Sequence, residues 1–206
     1  MTNSLVMIKK DCSALILVAG NSSRMGSPKF LLKMPDGASF LESLAHQYAG
    51  FGCTEIVVVL SKEGLQLIKD KPQHLPSQIQ IVINTHIEFG RFYSIKKGLK
   101  QLSTESVFIH NIDNPYANKN VLEQIYKAKL EGEVIKPILN GKGGHPVLIS
   151  KRVCELILNE NNNDQNFKVF LNNFSTKKVE VKDETVLLNI NTYDEYLEFY
   201  SREIKR

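Results

Sequence analysis

The sequence predicts an α/β fold in which a mostly parallel sheet is covered by helices on both faces, a three-layer sandwich. Three observations carry this. Apolar runs rich in Val, Ile and Leu recur at 14–19, 55–60, 79–83 and 106–112, the length and character of strands buried on both faces. Between them lie stretches with apolar residues at helical spacing, an alternation that favours parallel strands joined by crossover helices. The residues with the most chemistry follow directly after those runs, where open α/β sheets bind their ligands.

The run at 14–19 empties into Gly20-Asn21-Ser22-Ser23-Arg24-Met25-Gly26-Ser27-Pro28-Lys29. Ser39 caps a helix whose apolar face is Phe40, Leu41, Leu44, Ala45 and Tyr48, and Gly50 and Gly52 stop it. A short helix over 63–69 follows the strand at 55–60, and 71–77, with two prolines, leads to the strand at 79–83. Residues 94–102 read as a helix with Ile95, Leu99 and Leu102 inward. The strand at 106–112 ends at Asp113-Asn114-Pro115, and 117–130 is amphipathic, with Val121, Leu122, Ile125 and Ala128 on one side. Strands at 134–139 and 146–149 flank Asn140-Gly141-Lys142-Gly143-Gly144-His145. A helix over 152–158, an Asn-rich loop over 159–166, a short helix, strands at 179–181 and 185–190, and a helix from Thr192 complete the chain. With no repeat and no linker, 1–206 is expected to be a single domain.

A chain of 206 residues can bury a full core, and 42% hydrophobic with 23% charged residues is an ordinary soluble composition. The net charge of +4 is spread without a block and there is no Trp, so small polyanions explain it better than nucleic acid. Cys12, Cys53 and Cys154 are scattered with no C-x-x-C pair, which argues for a reducing compartment and against a zinc or disulfide scaffold. Lys9 and Lys10 precede an apolar run, as in a signal peptide, but cleavage there would destroy the loop that follows. No run reaches transmembrane length. A cytoplasmic location with no membrane partner is expected.

A buried strand that opens into a Gly/Ser loop is where an α/β protein holds phosphate. The glycines let the backbone approach the ligand, amides and hydroxyls converge on its oxygens, and Arg24 and Lys29 supply positive charge. The ATPase loop G-x-x-x-x-G-K-[ST] does not fit, because Gly20 and Gly26 are one residue too far apart and Ser27 follows. The dinucleotide loop G-x-G-x-x-G does not fit either, with Ser22 at its second glycine. What the stretch resembles is the L-x-A-G-x-S-x-R-M-G-x-P-K-x-L-L signature of the MobA-like nucleotidyltransferases. Leu17, Ala19, Gly20, Ser22, Arg24, Met25, Gly26, Pro28, Lys29, Leu31 and Leu32 fall on it.

The resemblance implies a Rossmann-like fold of the nucleotide-diphospho-sugar transferase type and transfer of a nucleoside monophosphate to a phosphorylated acceptor, releasing pyrophosphate. It implies that Arg24, with the backbone of Gly20, Asn21, Ser22, Ser23 and Gly26, holds the departing phosphates, and that Lys29 lies near the α-phosphate. Ala19 resembles the CTP-using branch, whereas the GTP-using branch carries a second glycine there. On residues alone Asp113 suits a turn or a helix cap as readily as a cation; the resemblance makes it a Mg²⁺ ligand. Ile112 stands where the family usually has Gly.

Asn84, Gly90, Ser94, Gly98 and Leu99 match a segment that in the family lies beside the base and ribose. Asn84 could equally satisfy a turn, and Ser94 a helix start. Asn140 to Ile149 resembles the G-x-x-G-H-P-V stretch of the molybdenum cofactor cytidylyltransferase branch, which implies an acceptor contact at His145 rather than a general base. Asn191 falls on the second metal-ligand position, where many members have Asp, and Tyr193 replaces the usual Pro. As a helix cap, Asn191 or Thr192 would need no metal. The G-D-x-G-[AV]-R pattern of that branch is missing from 163–168 (NDQNFK), where only Asp164 and Lys168 keep charge. The expectation is therefore a Mg²⁺-dependent cytidylyltransferase using CTP, with molybdopterin as acceptor. Alternatives are an enzyme for a sugar phosphate or phospho-alcohol, and a non-catalytic nucleotide-binding regulator or chaperone.

Overall fold

The computed structural model describes residues 9–19 and 27–205. Their elements run β1 (Lys10–Leu17), α1 (Phe40–Phe51), β2 (Cys53–Leu60), α2 (Lys62–Asp70), β3 (Ile79–Ile83), α3 (Gly90–Leu99) and β4 (Ser106–Asn111). Then come α4 (Lys119–Lys127), β5 (Val134–Leu139), β6 (Lys142–Gly143), β7 (Val147–Ser150), α5 (Lys151–Asn159), α6 (Phe167–Leu171), β8 (Thr176–Glu180) and α7 (Tyr193–Ile204). The strands form one sheet in the order β3-β2-β1-β4-β7-β5-β6, with β8 paired to β5. β1, β2, β3 and β4 pair in parallel, β7 runs antiparallel between β4 and β5, and β8 is parallel to β5.

Alternation along each strand divides the core in two. Ala14, Ile16, Ile56, Val58 and Phe108 face α1, α4 and α7 through Phe40, Leu44, Tyr48, Leu122, Ile125 and Phe199. Leu15, Leu17, Val57, Val59, Val107 and Ile109 face α3, α5 and α6 through Ile95, Leu99, Val153, Ile157, Phe167 and Phe170. The sheet is thus covered on both sides, the three-layer arrangement the sequence predicts. No helix among the described residues is long and apolar enough to cross a membrane.

Several elements differ from the sequence reading: β1 starts four residues early at Lys10, β8 three residues early at Thr176, and the two-residue β6 lies in the expected loop 140–145. β1 ends at Leu17, so Val18 and Ala19 lie beyond the strand, where both amides donate to the Val59 carbonyl at 3.0 Å. α3 begins four residues before the expected start and stops at Leu99. The expected strand at 185–190 is instead a 3-10 turn, Glu184–Leu187. Asp183 caps it by accepting from the Thr185 amide at 2.9 Å, and the Val186 carbonyl receives the His145 amide at 2.8 Å. Local capping and a loop contact use the backbone groups that a strand would have offered to a ladder.

Gly98 sets how closely α3 lies on the sheet. A Cβ there would stand 2.2 Å from Leu15 Cδ1 and 2.9 Å from Val59 Cγ2, and both side chains are fully buried. Gly98→Ala should lower the unfolding free energy by about 1–3 kcal/mol, the scale of overpacking a core. Gly50→Ala, an α1 position with nothing within 4 Å of a new Cβ, should be neutral or stabilising by up to about 1 kcal/mol. Urea denaturation of both variants tests this; equal effects at the two sites would contradict it.

Candidate active site

The register of β1 on β4 places Leu17 opposite Asn111, and the Ile112 amide donates to the Leu17 carbonyl at 3.1 Å. Past these ends opens a cleft of about 540 Å³, lined in part by Ala19, Lys29, Gly90, Arg91, Ser94 and Asp113. Gly20, Asn21, Ser22, Ser23, Arg24 and Gly26 lie outside the described residues.

Asp113 stands on a turn that its surroundings fix. Its carbonyl accepts from the Ile190 amide at 2.8 Å, and buried Asn114 donates its side-chain amide to the Thr185 carbonyl at 2.8 Å. Asn114 Oδ1 also accepts from the Tyr116 amide at 2.9 Å. Ile112 is buried in the core beneath, which accounts for a large side chain where the family pattern has Gly. The Oδ1 atom of Asp113 is buried and has no hydrogen-bond partner among the described residues. A carboxylate oxygen so placed is costly unless a ligand completes it.

Lys29 opens a 3-10 turn, Lys29–Leu31, that starts behind Pro28, and its ammonium donates to Asn191 Oδ1 at 2.9 Å. Asn191 is held there from behind. The capping box of α7 pairs Thr192 with Glu195, and Glu195 Oε2 accepts from the Asn191 amide at 2.6 Å and the Thr192 amide at 3.0 Å. Those backbone donors hold the Glu195 carboxyl below its usual pKa, with a smaller contribution from the Lys29 charge. Tyr196 donates to the Lys33 carbonyl at 3.1 Å, and Phe40 packs edge-on against Phe199 at 5.8 Å. So α7 carries Asn191 to the turn that carries Lys29, although 162 residues separate them.

Asn84 and Ser94 meet each other. Asn84 is buried, its Nδ2 donates to Ser94 Oγ at 2.9 Å, and its Oδ1 accepts from the His86 amide at 2.8 Å. Ser94 lies within α3 rather than at its start, donates to the Gly90 carbonyl at 3.3 Å, and lines the cleft. Asn84 does not line it; its polar atoms tie β3 to α3.

His145, the expected acceptor contact, does not line the cleft; it is half-buried, with its ring stacked on that of His110 at 6.5 Å and 20°. His110 is fully buried on β4, and its Nδ1 hydrogen bonds the Tyr48 hydroxyl at 2.7 Å. His145 Nδ1 and His110 Nε2 have no partner among the described residues. Burial holds the pKa of His145 below the ordinary imidazole value, aided by the Arg91 charge and opposed by that of Asp113. Burial also pulls His110 down to about 3, aided by His145. Both rings are neutral at physiological pH.

Arg91, on the first turn of α3, is the cleft residue that sequence reasoning missed. It keeps exposed surface inside the concavity, yet the protein around it desolvates the guanidinium and lowers its pKa, which the nearby Asp113 carboxylate partly restores. It remains a cation. Its guanidinium carbon lies 5.2 Å from the centre of the Phe167 ring. The available signal was an arginine directly after Gly90 in a stretch already singled out.

His110 gives the fold an acid sensitivity. Between pH 6.5 and about 3 the unfolded chain holds a proton on this imidazole that the folded chain refuses, so stability rises with pH through that window and is fully present above it. From pH 7 to pH 5 the wild type should lose about 2 kcal/mol more than His110→Leu in urea denaturation. Parallel losses in the two proteins would contradict the burial of a neutral imidazole.

The chain is similar to known proteins. The molybdenum cofactor cytidylyltransferase of Escherichia coli (strain K12) is 28% identical over 187 residues, covering 91% of this chain and 93% of that protein. A molybdenum cofactor guanylyltransferase of Campylobacter jejuni is 26% identical over 211 residues, covering 93% and 96%. Among solved structures, a homologue of Mycobacterium tuberculosis Rv0371c from Mycobacterium sp. strain JC1 superposes with a TM-score of 0.79 at 17% identity, over 96% of this chain and 99% of that one. The pattern of the MobA-like NTP transferase domain matches residues 14–179. The chain belongs to the MobA-like NTP transferase family and is a nucleotidyltransferase.

Proposed function

We propose that the chain transfers CMP from CTP to a phosphorylated acceptor in molybdenum cofactor biosynthesis, with molybdopterin as that acceptor and pyrophosphate as the second product. The observation that carries the reading is the buried Oδ1 of Asp113, without a hydrogen-bond partner among the described residues, in a cleft that also holds Lys29. Ala19 at the cleft wall, where the GTP-using branch has a glycine, supports cytosine as the base, as do the names of the relatives for the pathway.

In this reading an acceptor phosphate oxygen attacks the α-phosphorus in line. The bond to the bridging oxygen breaks, and pyrophosphate leaves with that electron pair. Catalysis is positioning and charge stabilisation. Lys29, steadied by Asn191, faces the charge that develops on the α-phosphate, and Arg24 with the 20–26 loop holds the leaving phosphates.

The donor set suits Mg²⁺, which takes one or two protein oxygens and completes its shell with phosphate and water. Asp113 would hold the ion, and Asn191 has a second lone pair on the amide oxygen that Lys29 uses. Among the described residues no three His, Cys, Asp or Glu groups converge, so nucleotide oxygens would supply the remaining ligands. When bound, the cation draws the phosphates together and offsets their charge.

Pyrophosphate release with molybdopterin and each of CTP, GTP, ATP and UTP tests the reading. CTP should support turnover best, and Lys29→Ala or Asp113→Ala should lower it by about a hundredfold or more, the scale of losing one electrostatic stabiliser. Near-normal rates in both variants would refute the site, and a GTP preference would overturn the base.

A further inference from the structure

We propose that Asn191, by giving a neutral amide oxygen to Lys29 where a carboxylate would attract a cation, keeps divalent metal from binding the nucleotide-free cleft, so that cation and nucleotide enter as one complex. The inference rests on the nucleotidyl-transfer reading above. Three observations carry it. The first is position. The Ile190 amide donates to the Asp113 carbonyl at 2.8 Å, so Asn191, the next residue, adjoins the Asp113 turn. An aspartate at this position would add a second charged oxygen donor to the first. The asparagine adds no charge.

The second observation is how the amide is used. Asn191 Oδ1 accepts from the Lys29 ammonium at 2.9 Å. The bond joins two anchored segments. Lys29 opens its 3-10 turn behind Pro28, and Glu195 Oε2 accepts from the Asn191 backbone amide at 2.6 Å. An amide oxygen has a second lone pair, but a metal ion using it would share one neutral atom with a full positive charge. At such separations like charges repel strongly unless anions lie between them.

The third observation is the charge of the cleft. Lys29 and Arg91 line it together with Asp113 and Glu88, and the Glu88 carboxylate is engaged with His86 Nδ1 at 2.9 Å. Arg91 lies near enough to Asp113 for the carboxylate to act on its charge. Asp113 therefore shares the cleft with two cations. The affinity of an oxygen site for a divalent cation follows the number of its charged ligands. One carboxylate in this company is a weak site, and the phosphates of a nucleotide supply both the charge and the oxygens that it lacks.

Titration with Mn²⁺, which takes the same oxygen donors and whose free form is read by electron paramagnetic resonance, tests this without turnover. The nucleotide-free wild type should show no saturable binding below about 1 mM, the weak end of the range for oxygen-ligand sites. Nucleotide-free Asn191→Asp should bind one Mn²⁺ at about 100 µM or tighter, a gain of at least about tenfold. Adding Asp113→Asn to that variant should abolish the gain, which ties the ion to the cleft rather than to the surface. The α7 cap uses the backbone amide of residue 191, so Asn191→Asp leaves that hold in place. Saturable binding to the nucleotide-free wild type below about 1 mM overturns the proposal. So does Asn191→Asp without a gain, or a gain that survives Asp113→Asn. With a non-hydrolysable CTP analogue present, the wild type should take up Mn²⁺ and the analogue together, one of each. Failure to bind the analogue with Mn²⁺ would instead refute the nucleotidyl-transfer reading, and the nucleotide-free titrations would still decide the role of Asn191.

Discussion

The pairing of β1 with β4 is the constraint on which the site depends. Ala14 to Ile16 and Phe108 to His110 are fully buried, so the two strands cannot slip without exposing both faces of the sheet's centre. Their fixed register delivers Ala19 and Asp113 to the same cleft. Helices on both faces hold the strands, and Gly98 lets α3 approach closely enough for Ser94 and Arg91 to line that cleft as well.

The chain's last helix closes the arrangement from the other direction. The 3-10 turn of Lys29 has little regular structure of its own; its hold comes from the Lys29–Asn191 bond, the Tyr196–Lys33 bond and the packing of Phe199 on Phe40. A charge-assisted hydrogen bond of this kind orients an ammonium more strictly than exposed charge pairing does. Asn191 therefore acts first on Lys29, whatever else its amide oxygen binds.

Much of the architecture is legible in the sequence because buried parallel strands write themselves as apolar runs, and the capping residues Ser39 and Thr192 announce their helices. The run 185–190 misleads for the same reason. Val186, Leu187, Leu188 and Ile190 have strand-like chemistry, but Asp183 and the His145 loop claim the backbone, and the side chains pack from a turn. At the site, Lys29 stood out in its loop and Asp113 and Asn191 through the family resemblance, whereas the Lys29–Asn191 bond required the fold, since nothing local links residues so far apart. Asn84 reads equally as a turn residue or a nucleotide contact; in the fold its Oδ1 takes the His86 amide, the turn role, and its Nδ2 goes to Ser94. Arg91 escaped because helical periodicity marks the residues that face the core, and its partner Phe167 lies in the stretch that departs most from the family pattern.

The central claim is that the buried Oδ1 of Asp113 holds a divalent cation together with the nucleotide. The direct test is thermal or urea stability with saturating CTP, in Mg²⁺ and in EDTA, for the wild type and Asp113→Asn. A ligand at a hundred times its dissociation constant adds about 2.7 kcal/mol. The account predicts that gain for the wild type in Mg²⁺, and most of it lost in EDTA or in Asp113→Asn. Equal stabilisation by CTP in EDTA, or in the variant, would contradict it.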